Sequence, residues 1–241
     1  MKENNIKNLV VFDLETTGCN PVSDHIIEIG AIKIKDGKIS SKYHQMVNPN
    51  VPIPNFITEI TGITNDMVQE YPSIEKVLPE FLSFCDTDYI LGHNISFDYR
   101  FIKAKCVKLG YSFNKKAFDT LSIAKKFLSN LPSRSLGALC QHYGIDLKNA
   151  HRAIHDAEAT YKLFKYLKRD FYDLDQSAFK AKNMAWKPPK QEMITQKQKK
   201  YLLSLIRMYK IELDKDIDTL TKSEASRLID RILTERKSKY I

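Results

Sequence analysis

Two carboxylates, Asp13 and Glu15, close the apolar run of LVVFDLETTG, residues 9–18. In a strand, alternate side chains share a face, so both point the same way. Neighbouring like charges raise each other's pKa and favour a partner of opposite sign. Two further stretches carry similar residues. LGHNISFD, residues 91–98, leaves a short apolar run and puts Asp98 in the first turn of a helix. There the helix dipole favours a carboxylate, whether it only caps the helix or also meets a ligand. AHRAIHDA, residues 150–157, holds His151 and Asp156 five residues apart. That spacing is about 140° round a helix, so the two converge only if His151 precedes the helix on a loop. His155 would then point about 100° away from Asp156.

Asp13, Glu15, Asp98 and Asp156 offer oxygen donors without cysteine, a set suited to hard divalent cations such as Mg²⁺ or Mn²⁺. Such ions would hold the carboxylates ionised. The reaction that calls for this arrangement is phosphodiester hydrolysis. Two ions about 4 Å apart can activate a water and stabilise both the attacking and the leaving oxygen. A histidine on a loop, His151, suits the role of general base.

Taken together, DLETTG (13–18), HNISFD (93–98) and HRAIHD (151–156) resemble the three motifs of the DEDDh exonucleases. The likeness is greatest to the epsilon-type and PolC-type proofreading domains of bacterial DNA polymerase III. The segment FITEITGITNDMV (56–68) adds to it, and the likeness covers about residues 7–170. It implies an RNase H-like fold and 3′→5′ exonuclease activity with two divalent ions, Mg²⁺ or Mn²⁺. Asp13, Glu15 and Asp156 would bind the ion nearest the attacking water. Asp13 would bridge to the second ion, and Asp98 would reach that ion through water. His151 would be the base. Thr16, Thr17, His93 and Phe97 would meet the terminal nucleotide.

The elements that must position these residues can be read from patterning. Residues 9–13 and 25–34 read as strands, and Asp36-Gly37 as a hairpin turn leading to a third over 41–47. A short helix over 56–61 stops at Gly62, and an apolar stripe predicts another over 73–84. A buried strand over 89–92 leads into a helix over 96–109. Further helices follow over 121–128, 135–143 and 155–171. A meander of strands followed by alternating strands and helices implies an α/β chain. With the resemblance, the expected fold is a mixed five-stranded RNase H-like sheet flanked by helices, with a small C-terminal two-helix module. The expected division is an exonuclease domain over 7–171, a linker over 172–192 and a helical module over 193–241. Trp186 is a candidate anchor for the linker.

Charge is divided unevenly. Residues 1–179 carry 22 Lys and Arg against 21 Asp and Glu, whereas residues 180–241 carry 16 against 8. A basic appendage on a near-neutral domain suggests a tether for a polyanion, with plain solvated helix faces as the alternative. Two capping boxes, at Thr195 to Gln198 and Thr221 to Glu224, open the module's helices. Their apolar stripes read as each other's core. The cysteines Cys19, Cys85, Cys106 and Cys140 form no CxxC pair, and no secretory leader or membrane-length apolar run is present. Cytoplasmic location, no disulfides and no membrane partner are therefore expected. The expected partner is a nucleic acid, chiefly single-stranded DNA 3′ ends, with a DNA polymerase or other replication protein as a further partner class. An RNA 3′→5′ exonuclease is the alternative reading, and an inactive nuclease-fold adaptor is the alternative of another class.

Overall fold

The computed structural model describes residues 8–147, 150–189, 192–213 and 216–237. Strands β1 (Asn8–Thr16), β2 (Ile26–Lys35) and β3 (Lys38–Met46) form an antiparallel meander. Asp36 and Gly37 both have positive φ, 47° and 77°, as the tight turn between β2 and β3 requires. Helices α1 (Asn55–Thr61), α2 (Asn65–Val68) and α3 (Ile74–Cys85) follow, then β4 (Tyr89–Gly92) and α4 (Ser96–Leu109). Next come β5 (Lys116–Asp119), α5 (Thr120–Phe127), α6 (Leu136–Tyr143) and the long α7 (Ala153–Phe171).

The sheet order is β3-β2-β1-β4-β5-β6, where β6 is the two-residue strand Lys182–Asn183. β4 and β5 run parallel to β1, and β6 runs antiparallel to β5. The expected mixed sheet is present with one short strand more than the five anticipated. β5 has no strand signal of its own because it is four residues long, KAFD, with a lysine at its start.

Period-2 alternation in β1 divides the core. Val10, Phe12 and Leu14 face α3 and α4, while Leu9 and Val11 face the layer of α5, α6 and α7. β1 does not end before the carboxylates. Its pairing with β2 continues through Asp13 and Glu15 to Thr16, so both carboxylates lie within the strand, on the side of α7.

α7 crosses β1 and β2 at very close range. A Cβ on Gly30 of β2 would fall 2.0 Å from the backbone nitrogen of Ile154. Glycine at this position is what lets the start of α7 lie against the sheet.

The first compact unit extends to Lys187. Of the stretch expected as linker, 172–192, residues 172–187 lie in this unit. A 3₁₀ turn, Gln176–Phe179, buries Phe179, and β6 completes the sheet edge. Met184 and Trp186 pack against the α3–α4 side of the core, so Trp186 is indeed an anchor.

The second unit begins at Pro188. It contains α8 (Gln196–Tyr209), a 3₁₀ turn (Ile217–Thr219) and α9 (Lys222–Lys237). Both capping boxes are formed, by Thr195 with Gln198 and by Thr221 with Glu224. Leu202, Leu205, Leu220, Ile229 and Ile232 form its core; both stripes contribute to it, but Tyr201, which the sequence places on the core side of α8, is exposed. No helix among the described residues is long and apolar enough to cross a membrane, and all four cysteines are free.

Candidate active site

The carboxylates of Asp13, Glu15 and Asp156 converge, with one oxygen from each lying within 4.8 Å of the others. β1 supplies the first two on one face, and the first turn of α7 supplies the third. Asp98 enters from the first turn of α4, buried, with Oδ1 accepting a hydrogen bond of 3.1 Å from the backbone N–H of Leu14. That bond ties α4 to the strand between Asp13 and Glu15, 84 residues earlier in sequence.

The cluster lacks enough positive charge to hold its carboxylates ionised. Loss of water raises the Asp13 carboxyl well above the usual range, and the charges of Asp98, Asp156, Glu15 and Glu28 add to the shift. Glu15 is pushed up to about 8 by burial first, then by Asp156 and Glu28, against a partial pull from Arg152. Burial also raises Asp98 well above its ordinary value. Asp156 is raised by burial, opposed by the His151 charge and by the backbone amides of His151 and Arg152. Four recessed carboxylates that disfavour ionisation together form a seat for cations.

His151 is exposed and precedes α7 with φ of 66°, in the left-handed region that costs a non-glycine residue strain. This is the loop position that its convergence with Asp156 requires. The strain is held by neighbours on both sides of a buried acid. Glu28 of β2, fully buried, accepts bonds from Arg152 Nε at 3.1 Å and Nη2 at 2.9 Å, and from the Ala153 backbone N–H at 3.0 Å. His44 Nε2 lies 2.6 Å from the same carboxylate. These hydrogen bonds and the Arg152 charge hold the Glu28 carboxyl below its ordinary value despite the opposing effect of burial.

Sequence reading missed Glu28. Its signal was a single carboxylate inside the apolar run IIEIGAIKI, where a buried acid needs a partner.

The nucleotide-binding residues expected from the resemblance fare unevenly. Phe97 is half-buried and packs 5.0 Å from Phe101. The Thr16 hydroxyl donates to Gly18 O at 2.7 Å, and the Thr17 hydroxyl accepts from His25 N at 2.9 Å, so both shape the turn after β1. His93 is engaged within the fold. Its Nδ1 lies 2.9 Å from the Thr120 hydroxyl and its Nε2 3.0 Å from Arg134 O, so both ring nitrogens tie the end of β4 to α5 and the following loop.

Comparison with known proteins accords with this geometry. The family model described as Exonuclease (RNase_T) matches residues 10–164. A PolC-type DNA polymerase III of Caldanaerobacter subterraneus is 44% identical over 155 residues, covering 64% of this chain and 11% of that protein. The Bacillus subtilis PolC-type enzyme is 40% identical over 162 residues, 66% of this chain and 11% of its own. The chain thus spans about a tenth of the length of these curated relatives. Among solved structures, exonuclease X in complex with 5′ overhanging duplex DNA is 26% identical, with a TM-score of 0.56 over 67% of this chain and 91% of its own. Escherichia coli exonuclease I in complex with a dT13 oligonucleotide shares the fold, with a TM-score of 0.66, 22% identity, and 72% of this chain and 43% of its own covered. From the span of the family match, which takes in α4, most of β1 and the first part of α7 with all four carboxylates, the chain belongs to the exonuclease family.

Proposed function

We propose that this protein is a metal-dependent 3′→5′ exodeoxyribonuclease that releases nucleoside monophosphates from DNA 3′ ends, single strands preferred. The observation that carries the reading is the convergence of Asp13, Glu15 and Asp156 within 4.8 Å, with Asp98 behind them. The donor set fits hard divalent ions, being all carboxylate oxygen and short of compensating charge. Asp13, Glu15 and Asp156 would hold them, with Asp98 supporting. When bound, Mg²⁺ or Mn²⁺ supplies positive charge to the phosphodiester and favours ionisation of the attacking water.

The chain's own residues supply the rest. A ring nitrogen of His151 takes the proton from the water that attacks the terminal phosphorus. The bond from phosphorus to the penultimate 3′-oxygen breaks, that oxygen takes a proton from solvent, and a nucleoside 5′-monophosphate leaves. Asp156, close to His151, stabilises the imidazolium that forms, and the Glu28 clamp on Arg152 and Ala153 holds the loop in place. Thr16, Thr17 and Phe97 border the space for the last nucleotide. A DNA polymerase is the protein partner this reading favours, because the curated relatives are PolC-type polymerases. The cytoplasm is the compartment it implies.

The test is a time course on 5′-labelled single-stranded DNA and RNA of one sequence, with Mg²⁺, Mn²⁺ or EDTA and the Asp13→Ala protein alongside. A metal-dependent ladder shortening from the 3′ end, faster on DNA and absent in the variant, is expected. A faster RNA ladder would replace the substrate class. No ladder, together with no metal-linked stabilisation, would leave the adaptor reading.

A further inference from the structure

We propose that the outward face of α8 binds single-stranded nucleic acid, giving the chain a second contact with the strand whose end the nuclease unit would process. The strand's identity rests on the exonuclease reading, while the surface is argued from its own residues. α8 carries four cations, Lys197, Lys199, Lys200 and Arg207, and no carboxylate. Lys199 is engaged by Asp218. The buried side of the helix holds Leu202 and Leu205.

About 100° round the helix from that buried side, Lys197, Tyr201, Ser204 and Met208 lie in a sector about 60° wide. Lys200 and Arg207 flank that sector along one edge. All six are exposed, with Tyr201 at 48% and Met208 at 68%.

An ordinary solvated face mixes both signs so that charges pair along the helix. This one sets three cations along about 15 Å of helix beside an exposed ring and a thioether. The cations repel one another mildly, and a phosphate backbone reverses that repulsion while releasing counterions. The ring offers a stacking surface to a base, which needs the base to be unpaired. The thioether adds an adaptable apolar contact. An acidic protein surface would satisfy the cations and leave Tyr201 and Met208 without a role. A duplex would do the same. A single strand satisfies both kinds of residue.

The experiment measures binding of a 5′-fluorescein-labelled oligothymidylate, and of a duplex of equal length, to the full chain in EDTA over a range of salt. The triple variant Lys197→Gln/Lys200→Gln/Arg207→Gln should weaken binding about tenfold or more and reduce the salt slope by about 2, at roughly 0.7 per cation. Tyr201→Ala should weaken single-strand binding by roughly 5- to 100-fold, with the salt slope and duplex binding unaltered. Lys35→Gln/Lys38→Gln, on the β2–β3 turn, controls for net charge and should leave binding as it was. Unchanged affinity and slope in the triple variant would overturn the surface. Loss in the triple variant but none in Tyr201→Ala would overturn its preference for single strands. Hydrolysis is scored separately with Mg²⁺ present. A chain that binds through α8 yet cuts nothing sinks the exonuclease reading alone, and an active chain with normal binding in the α8 variants sinks this inference alone.

Discussion

Asp13 and Glu15 are held where ionisation is unfavourable, and pH should reveal it. A carboxyl whose folded pKa is raised contributes stability that is complete below its unfolded value, about 4, and is lost as pH rises through the folded one. For Glu15 that upper limit is about 8. Without divalent ions, the melting temperature should therefore fall as pH rises from about 5 to 8. Glu28, whose pKa is lowered, acts in the opposite sense and only on the acid side, where its stabilising contribution is lost as pH falls. Mg²⁺ or Mn²⁺ should restore the melting temperature, and by more at the top of the window than at its foot. Melts with metal or EDTA across that range check both signs, and an absent metal effect at the alkaline end would remove the cluster as a cation seat. His151→Ala should lower turnover by roughly 10²- to 10⁴-fold with the fold intact, because the side chain is exposed. Single-turnover rates, with circular dichroism to verify folding, decide it. The convergence of Asp13, Glu15 and Asp156 was legible because separate motifs pointed to one acidic cluster. Side-chain orientation was not legible: the internal contacts of both His93 nitrogens, to Thr120 and Arg134, leave no sequence signal.

Among the elements, the meeting of β2 with α7 sets the geometry of the site. Gly30→Ala would drive a Cβ into the backbone of Ala153 and Ile154, with contacts of 2.2 and 2.0 Å. Backbone cannot swing aside as a side chain can, so the cost should reach or exceed the usual ~3 kcal/mol upper range for overpacking. The start of α7 would shift and carry Asp156 with it. Urea unfolding should show the loss, and Mg²⁺-linked stabilisation should shrink in the same protein. Glu28→Gln tests the second support. It keeps an acceptor for the Ala153 N–H but leaves Arg152 without its buried counter-charge, and should cost about 3 kcal/mol. A Gln variant as stable as the parent would mean that the amide alone suffices to hold the loop. The long strands and helices were readable from period and caps, as the Asp36-Gly37 turn and both C-terminal capping boxes show. β5 was not, because four residues cannot display a period and its pairing with β4 is decided by the sheet.

At the level of the whole molecule, the edge of the first unit is where sequence and structure part most. The stretch 172–187 has prolines just beyond it and scattered apolar residues without a repeat, so it reads as connector. Its apolar residues instead fill separate gaps. Phe179 is 5% exposed and sits 5.7 Å from Tyr172 and 6.2 Å from Phe164 by ring centroids. Met184 N donates to Lys115 O at 2.9 Å, Met184 O accepts from the Tyr99 hydroxyl at 3.2 Å, and Trp186 covers the core nearby. Such one-off plugs carry no periodic signal, which is why only the tryptophan stood out. A chain ending after Lys187 should therefore keep the stability of the nuclease unit. One ending after Phe171 should lose about 3 kcal/mol or more, from re-exposing an aromatic side chain and the core beneath the stretch and from unpairing β5. The two truncations can be compared by their urea midpoints, with Mg²⁺-linked stabilisation measured in each. Equal midpoints would return the boundary to 171. A lower midpoint for the shorter chain, with metal-linked stabilisation kept in the longer one, would make residues 172–187 the closing segment of the nuclease unit.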